Sequence, residues 1–305
     1  MMQFCVFSYN RGRFLEHCVS SIERCAPHCS LTVYDDDSDD PHTREVLERI
    51  SKRHRVVPFR GRRAGKHGGL YANMQAALDD QEAGSLVCFI QDDMQLVRRL
   101  DELETTAFAE HFRSSTSAAL LQPAFLKARE TRGNKGAVRF DEGDDCYYCE
   151  RWESSAGAHY SDILIASVDA LRSIGWRFGP REAANETEAR RHFPPLRYLR
   201  HPFMAWLPGV PAWRGRVQTL GLRLGQKLSH CGFHPLEIFT EAERQAFLTR
   251  DPSRLPVAED WLRCTGPTPP SPWAYHPLQD RRWLARLDSV ERRLRSWFTP
   301  RPGAR

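Results

Sequence analysis

Nowhere does this chain run through the ~20 consecutive apolar residues that a membrane-spanning helix needs. The longest candidate, Phe203 to Trp213, is broken by Pro208 and Pro211. Its start, Met1-Met2-Gln3-Phe4-Cys5-Val6-Phe7, has neither a basic n-region nor a small-residue cleavage site, so no secretory leader is expected. The nine cysteines are odd in number and form no framework of spaced pairs. Cys146 and Cys149 make one C-x-x-C, without a second pair at zinc spacing. A reducing cytoplasm is the compartment this usage implies. An excess of one charge sign is also missing: 44 Lys and Arg face 39 Asp and Glu, for a net charge of +5. Nucleic-acid binding by the whole protein is therefore not implied. No internal repeat is visible. Glycine is scarce where a phosphate loop would need it, since Ser8-Tyr9-Asn10-Arg11-Gly12-Arg13 holds a single one. That argues against a sugar nucleotidyltransferase. His230 and His234 stand four apart, but Gly232 and Pro235 oppose a helix there, and the general base of H-E-x-x-H is absent.

What is present is an alternation of strand and helix patterns. Phe4 to Ser8, Leu31 to Tyr34, Arg55 to Phe59 and Leu86 to Gln91 are short runs rich in β-branched and aromatic residues, the signature of buried strands. Between them lie helical spacings. Phe14, Cys18, Ile22 and Cys25 mark the first, and Val46, Leu47 and Ile50 after Pro41 the second. Leu70, Met74, Ala77 and Leu78 follow a basic loop from Arg60 to Gly69. A further helix is expected through Val97, Leu100, Leu103 and Phe108. Strands are expected at Ala119 to Phe125 and Asp162 to Ala166, with an irregular stretch over 127–158. The expected fold is α/β, a Rossmann-like, mostly parallel central sheet flanked by helices.

Two aspartate clusters stand directly behind two of the strands: Asp35, Asp36 and Asp37 after Tyr34, and Asp92 and Asp93 after Gln91. Open α/β sheets bind ligands at the carboxyl ends of their strands. Adjacent carboxylates repel unless a cation or a hydrogen-bonding ligand lies between them. A metal, a nucleotide or both is the indicated occupant. The bland alternative, a turn with helix-capping aspartates before Pro41, remains open for the first cluster taken alone.

Taken in order, Ser8-Tyr9-Asn10-Arg11, then Val33-Tyr34-Asp35-Asp36-Asp37-Ser38-Asp39-Asp40, then Gln91-Asp92-Asp93 resembles the family 2 glycosyltransferases of the GT-A fold. A fourth segment, Ser167 to Phe178, resembles the stretch before that family's catalytic acidic motif. The resemblance covers roughly the first two-thirds of the chain. It implies transfer of a sugar from a nucleotide-diphosphate donor, a UDP-sugar by family frequency, to an acceptor hydroxyl with inversion. It implies Mn²⁺ or Mg²⁺ as cofactor, with Asp93 as metal ligand and Asp92 near the donor ribose or sharing the site. Asp36 then matches the position that reads the nucleobase edge, and Tyr9 the aromatic against the base. Phe7, where threonine is common, and Arg11, which completes the first motif, are counted by the same resemblance among the donor-binding residues. Arg62, Arg63 and Lys66 supply cations for the diphosphate. The base falls in Asn185-Glu186, which departs from the family's E-D pair; Glu186 is the candidate, with Glu188 and Glu182 behind it. A C-terminal histidine (His201, His230 or His234) serves some GT-A enzymes as a third metal ligand.

Beyond Pro194 the composition changes, with six of the eight tryptophans past residue 200. The expected division is a nucleotide-sugar-binding catalytic domain over 1–200 and a Pro/Trp-rich extension over 201–305, helical and irregular. The extension ends in a basic amphipathic helix from Asp280 to Phe298. Such a helix either packs on the domain or lies peripherally on an anionic membrane, which would suit a glycan or lipid-linked acceptor. The alternative to an enzyme is a GT-A-like protein that binds a nucleotide-sugar or glycan without turnover.

Overall fold

The computed structural model describes residues 2–59, 69–114, 120–133, 138–149, 157–212 and 218–298. In chain order, β1 (Met2–Ser8) leads to α1 (Gly12–Cys25), β2 (Ser30–Asp35), α2 (Pro41–Ser51), β3 (Arg55–Pro58), α3 (Leu70–Asp79) and β4 (Leu86–Gln91). Each strand returns through a helix, so all four lie parallel. The order β3-β2-β1-β4 reverses at β1, which opens a crevice beyond the carboxyl ends of β1 and β4. β1 is buried on both faces. Phe4 and Val6 join the core under α1 and α2, while Cys5 and Phe7 join the core under α3. α2 starts where aspartate and proline dictate: Asp40 accepts from the Thr43 amide at 2.8 Å, and Pro41 fills the first turn.

The segment after Asp93 departs from the expected helix. β5 (Met94–Leu96) is extended, and α4 (Glu102–Ser114) begins only later, with Leu103 at 81% exposure rather than inward. Tertiary contacts override the apolar spacing. Val97 donates to the Phe203 carbonyl at 2.9 Å. Arg98, fully buried, donates to Pro202 O at 3.0 Å and pairs with Glu104 at 2.7 Å. The stretch 97–101 thus clamps a distant part of the chain.

Next come β6 (Leu120–Gln122), α5 (Ala128–Gly133), β7 (Val138–Asp141), β8 (Cys146–Cys149), β9 (Leu164–Ser167), α6 (Val168–Ser173), α7 (Glu182–His192) and β10 (Arg197–Leu199). The stretch expected to be irregular therefore contains a hairpin. β7 and β8 pair from Val138↔Cys149 to Asp141↔Cys146, and the rings of Phe140 and Tyr147 lie 5.2 Å apart. Among the described strands one sheet of nine forms, in the order β3-β2-β1-β4-β9-β6-β10-β8-β7. β9 and β8 run against the other seven, so the sheet is mostly parallel. All nine cysteines are free thiols.

Past residue 200 lie β11 (Met204–Trp206), α8 (Leu220–Leu228), α9 (Glu241–Leu248), α10 (Ala258–Trp261) and α11 (Arg282–Phe298). β11, which composition did not suggest, pairs antiparallel with β5 to make a second, two-stranded sheet. One apolar cluster joins Phe14 of α1, Val97 and Phe125 to Leu207, Leu236, Phe247, Leu262 and Trp273. Residues beyond 200 share their core with the first half.

Candidate active site

Register brings the motifs together. Ser8 pairs with Asp35 across β1 and β2, and Phe7 with Gln91 across β1 and β4. Tyr9, Asp36, Asp92 and Asp93 consequently leave the sheet side by side at one edge. The junction is tied by the backbone, since Asp36 N donates to Ser8 O at 2.9 Å and Asp92 N to Phe7 O at 3.0 Å.

Asp92 is buried, with Oδ2 accepting from the Tyr9 amide at 3.1 Å and Oδ1 from Arg11 Nη1 at 3.0 Å. The same Nη1 reaches Asp93 Oδ2 at 2.8 Å. Arg11 thus sits as a fixed cation between the two acids, rather than at a donor position of its own. Burial pushes the Asp92 carboxyl above its usual range, while Arg11 pulls it down. Asp93 Oδ1 is enclosed and has no hydrogen-bond partner among the described residues. An enclosed bare carboxylate oxygen suits a divalent cation, a hard acid that takes oxygen ligands. Asp93, with Asp92 beside it, fits the expected metal. No group of three or more His, Cys, Asp or Glu is placed to hold one among the described residues. The remaining ligands would come from a diphosphate and water, as is usual for Mg²⁺ sites.

Asp36 Oδ2 accepts from the Gly69 amide at 2.8 Å, which anchors the start of α3. A Cβ at Gly69 would collide with the Asp36 carboxylate and the Phe59 ring, so only glycine fits. Lys66, Arg62 and Arg63 lie outside the described residues. Asp35 is structural: its two oxygens accept from the Ser38 amide at 2.7 Å and the Ser38 hydroxyl at 2.6 Å. Asn10 ties this turn back to the first motif, its Oδ1 accepting from the amides of Asp39 and Asp40 at 2.9 and 3.1 Å.

Phe7, expected at the donor, is instead a core residue. Its ring lies 5.9 Å from Tyr34 and 5.6 Å from Phe89, because strand alternation turns position 7 towards α3. Only its carbonyl serves the site. The histidines are engaged elsewhere. His201 Nδ1 accepts from Arg250 at 2.9 Å, and burial with its arginine neighbours pushes its pKa down to about 3. His234 Nε2 lies 3.3 Å from the His230 carbonyl.

Glu186 is buried on α7, and its carboxylate is crowded with donors. It accepts from the amides of Gly157 (3.2 Å), His159 (3.1 Å) and Tyr160 (3.0 Å). His159 Nδ1, which must carry a proton to face a carboxylate, lies at 3.3 Å, and Arg190 Nη2 at 3.2 Å. This geometry makes Glu186 a staple for residues 157–160. Glu188 turns outward to Arg191 and His192. Glu182 is raised by burial, with Lys127 opposing the shift.

One acid went unnoticed in the sequence. Asp162 stands just before β9, which runs antiparallel to β4 from Phe89↔Leu164, so it lies at the carboxyl end of β4. Its Oδ2 accepts from the Tyr71 hydroxyl at 3.2 Å, while its Oδ1 is enclosed without a partner among the described residues. Burial and Glu182 raise its pKa to about 7. An acid heading an apolar strand, two residues after a buried tyrosine, was the available sequence signal.

Residues 4–111 match the family model for glycosyl transferase family 2. A search of curated protein sequences returns no match. Among solved structures, residues 1–349 of S. aureus TarS align at 14% identity and TM-score 0.46, over 67% of this chain and 60% of that one. The mannosyltransferase PcManGT from Pyrobaculum calidifontis, in complex with GDP-Man and Mn²⁺, aligns at 13% identity and TM-score 0.43, over 75% and 61%. Glucosyl-3-phosphoglycerate synthase from Mycobacterium tuberculosis, in complex with Mg²⁺ and UDP, aligns at 16% and TM-score 0.42, over 78% and 83%. Residues 4–111, which bring Tyr9, Arg11, Asp36, Asp92 and Asp93 to one sheet edge, are thus the part of the chain that is similar to glycosyl transferase family 2.

Proposed function

We propose that this chain transfers a sugar, with inversion, from a nucleoside diphosphate donor to a hydroxyl of a glycan or lipid-linked glycan. The donor is a UDP-sugar, and the reaction needs Mn²⁺ or Mg²⁺. The observation that carries the reading is the bare, enclosed Asp93 Oδ1 at the switch point, one strand from Asp36 and Tyr9. In this reading Asp36 and Tyr9 hold the base, Asp92 faces the ribose, and Lys66, outside the described residues, supplies a charge for the diphosphate. When bound at Asp93, the cation acts as a Lewis acid that offsets charge developing on the leaving diphosphate. Arg11 neutralises the two aspartates until the cation arrives with the donor. The peripheral face is α11, whose exposed Trp283, Val290 and Leu294 accompany arginines and suit the inner surface of an anionic membrane.

Calorimetry with UDP, with and without Mn²⁺, tests the donor site, and UDP release from a panel of UDP-hexoses tests turnover. Asp93→Ala is expected to abolish the metal dependence and to cut UDP release by about 10²-fold or more, with the melting temperature kept. Metal-dependent release at the wild-type rate in this variant would remove the assignment. Binding of UDP without release from any donor would favour the non-catalytic alternative.

A further inference from the structure

With five donors on Glu186, its carboxylate has no lone pair left for an acceptor. Asp162 is differently placed. It stands at the same end of the sheet as Asp92 and Asp93, just before β9 where that strand pairs with β4, with one enclosed oxygen unpartnered among the described residues. Its surroundings come from three places: Tyr71 on α3, Tyr160 in its own segment, and Glu182 at the start of α7. Lys127 lies beyond Glu182, acting on it electrostatically. The Lys127 ammonium is 3.7 Å from the ring centre of Trp206, and Trp206 pairs with Met94, directly after Asp93. Lys127 and Trp206 thus lie beside the residue that follows the proposed metal ligand.

We propose that Asp162 is the base that accepts the proton of the attacking hydroxyl. The proposal rests on the reading of this site as a glycosyltransferase and deepens it by naming the acceptor side. The acceptor oxygen bonds to the anomeric carbon as its proton passes to the Asp162 carboxylate. The bond from that carbon to the diphosphate oxygen breaks, and its electron pair leaves with the nucleoside diphosphate. Tyr71 steadies the carboxylate through its hydroxyl at 3.2 Å, as a positioning residue. A pKa near 7 suits a general base, which should titrate close to the working pH. Burial and Glu182 set it there, and the two tyrosine hydroxyls restrain it.

The test measures UDP release from UDP-hexoses with Mn²⁺, water serving as acceptor, as a function of pH. In the wild type, release should rise with pH through about 7 as Asp162 ionises. Asp162→Asn should lower kcat by about 10²-fold or more, flatten that rise, and leave UDP affinity and donor KM unchanged. It should also melt at a higher temperature than the wild type. The ionised carboxylate is costly to bury, so the difference grows from the ordinary aspartate range up to about 7 and then holds. Tyr71→Phe, which keeps the acid but removes one hydroxyl donor, should move the pH limb upward. Wild-type kcat with an intact limb in Asp162→Asn would overturn the base assignment alone. Lost UDP affinity in that variant would make Asp162 a donor ligand instead. A wild type that binds UDP with Mn²⁺ but releases none from any donor would overturn the transfer reading, and this proposal with it.

Discussion

Arg11 is the residue at which motif and geometry diverge. The sequence placed it among donor contacts, yet one of its nitrogens bridges Asp92 and Asp93 at 3.0 and 2.8 Å. Its charge occupies the side of the carboxylate pair that a divalent cation would also seek. Removing it should free oxygens for metal while leaving two enclosed acids without a counter-charge. Arg11→Gln is therefore expected to bind Mn²⁺ at least tenfold more tightly, about 1.4 kcal/mol, by calorimetry. The same variant should lose about 3 kcal/mol of stability in urea when no metal is present. Weaker Mn²⁺ binding would instead make Arg11 an organiser of the metal site. The strand-end aspartates were legible because polar residues ending apolar runs mark the ligand edge of a sheet. Phe7 was not, because a strand buried on both faces shows no alternation to reveal which way a side chain points. Asp162 escaped notice for a different reason: its significance lies in Tyr71 and Glu182, which only folding brings to it.

At the scale of elements, the long helices and four parallel strands of the first ninety residues were legible, and the short strands were not. β5 and β11 are three residues each, and neither has meaning without the other across the intervening chain. Arg98 explains the failed helix, since its buried guanidinium needs the carbonyls of 201 and 202 and the Glu104 carboxylate. A sequence window cannot contain those partners. α7 supplies the clearest element-scale prediction. Its Glu186 fixes residues 157–160 through three backbone amides, and β9 with Asp162 comes directly after them. A glutamine has one acceptor oxygen where glutamate has two, so Glu186→Gln loses some of these bonds and turns an amide towards donors. A stability loss of about 2–4 kcal/mol is expected, read as a lowered denaturant midpoint. Wild-type stability combined with abolished transfer would restore Glu186 as the base.

At the scale of the whole molecule, the division expected near residue 200 falls between β10 and β11, and the chain from β11 onward packs back across α1 and β5. α8 and α11 then run antiparallel, joined where Gly221 meets Leu284 and Asp288, and where the Thr219 hydroxyl donates to Asp288 at 2.7 Å. That contact uses only one stripe of α11. The other stripe, Trp283, Val290 and Leu294 at 59, 53 and 48% exposure, recurs every helical turn or two and points to solvent. Arg282, Arg286 and Arg293 are exposed on the same helix. No helix among the described residues is long and apolar enough to cross a membrane. An exposed apolar side chain gains about 1.5–3 kcal/mol on full burial, and each arginine near an anionic surface adds about 1 kcal/mol. Vesicles containing phosphatidylglycerol should therefore sediment the protein, less so as salt is raised, and vesicles of phosphatidylcholine alone should not. Trp283→Ser with Val290→Ser should weaken that binding more than tenfold while sparing the Leu284 contact and the melting temperature. Unaltered sedimentation in the double variant, or equal binding to both vesicle types, would leave α11 as a packing helix only.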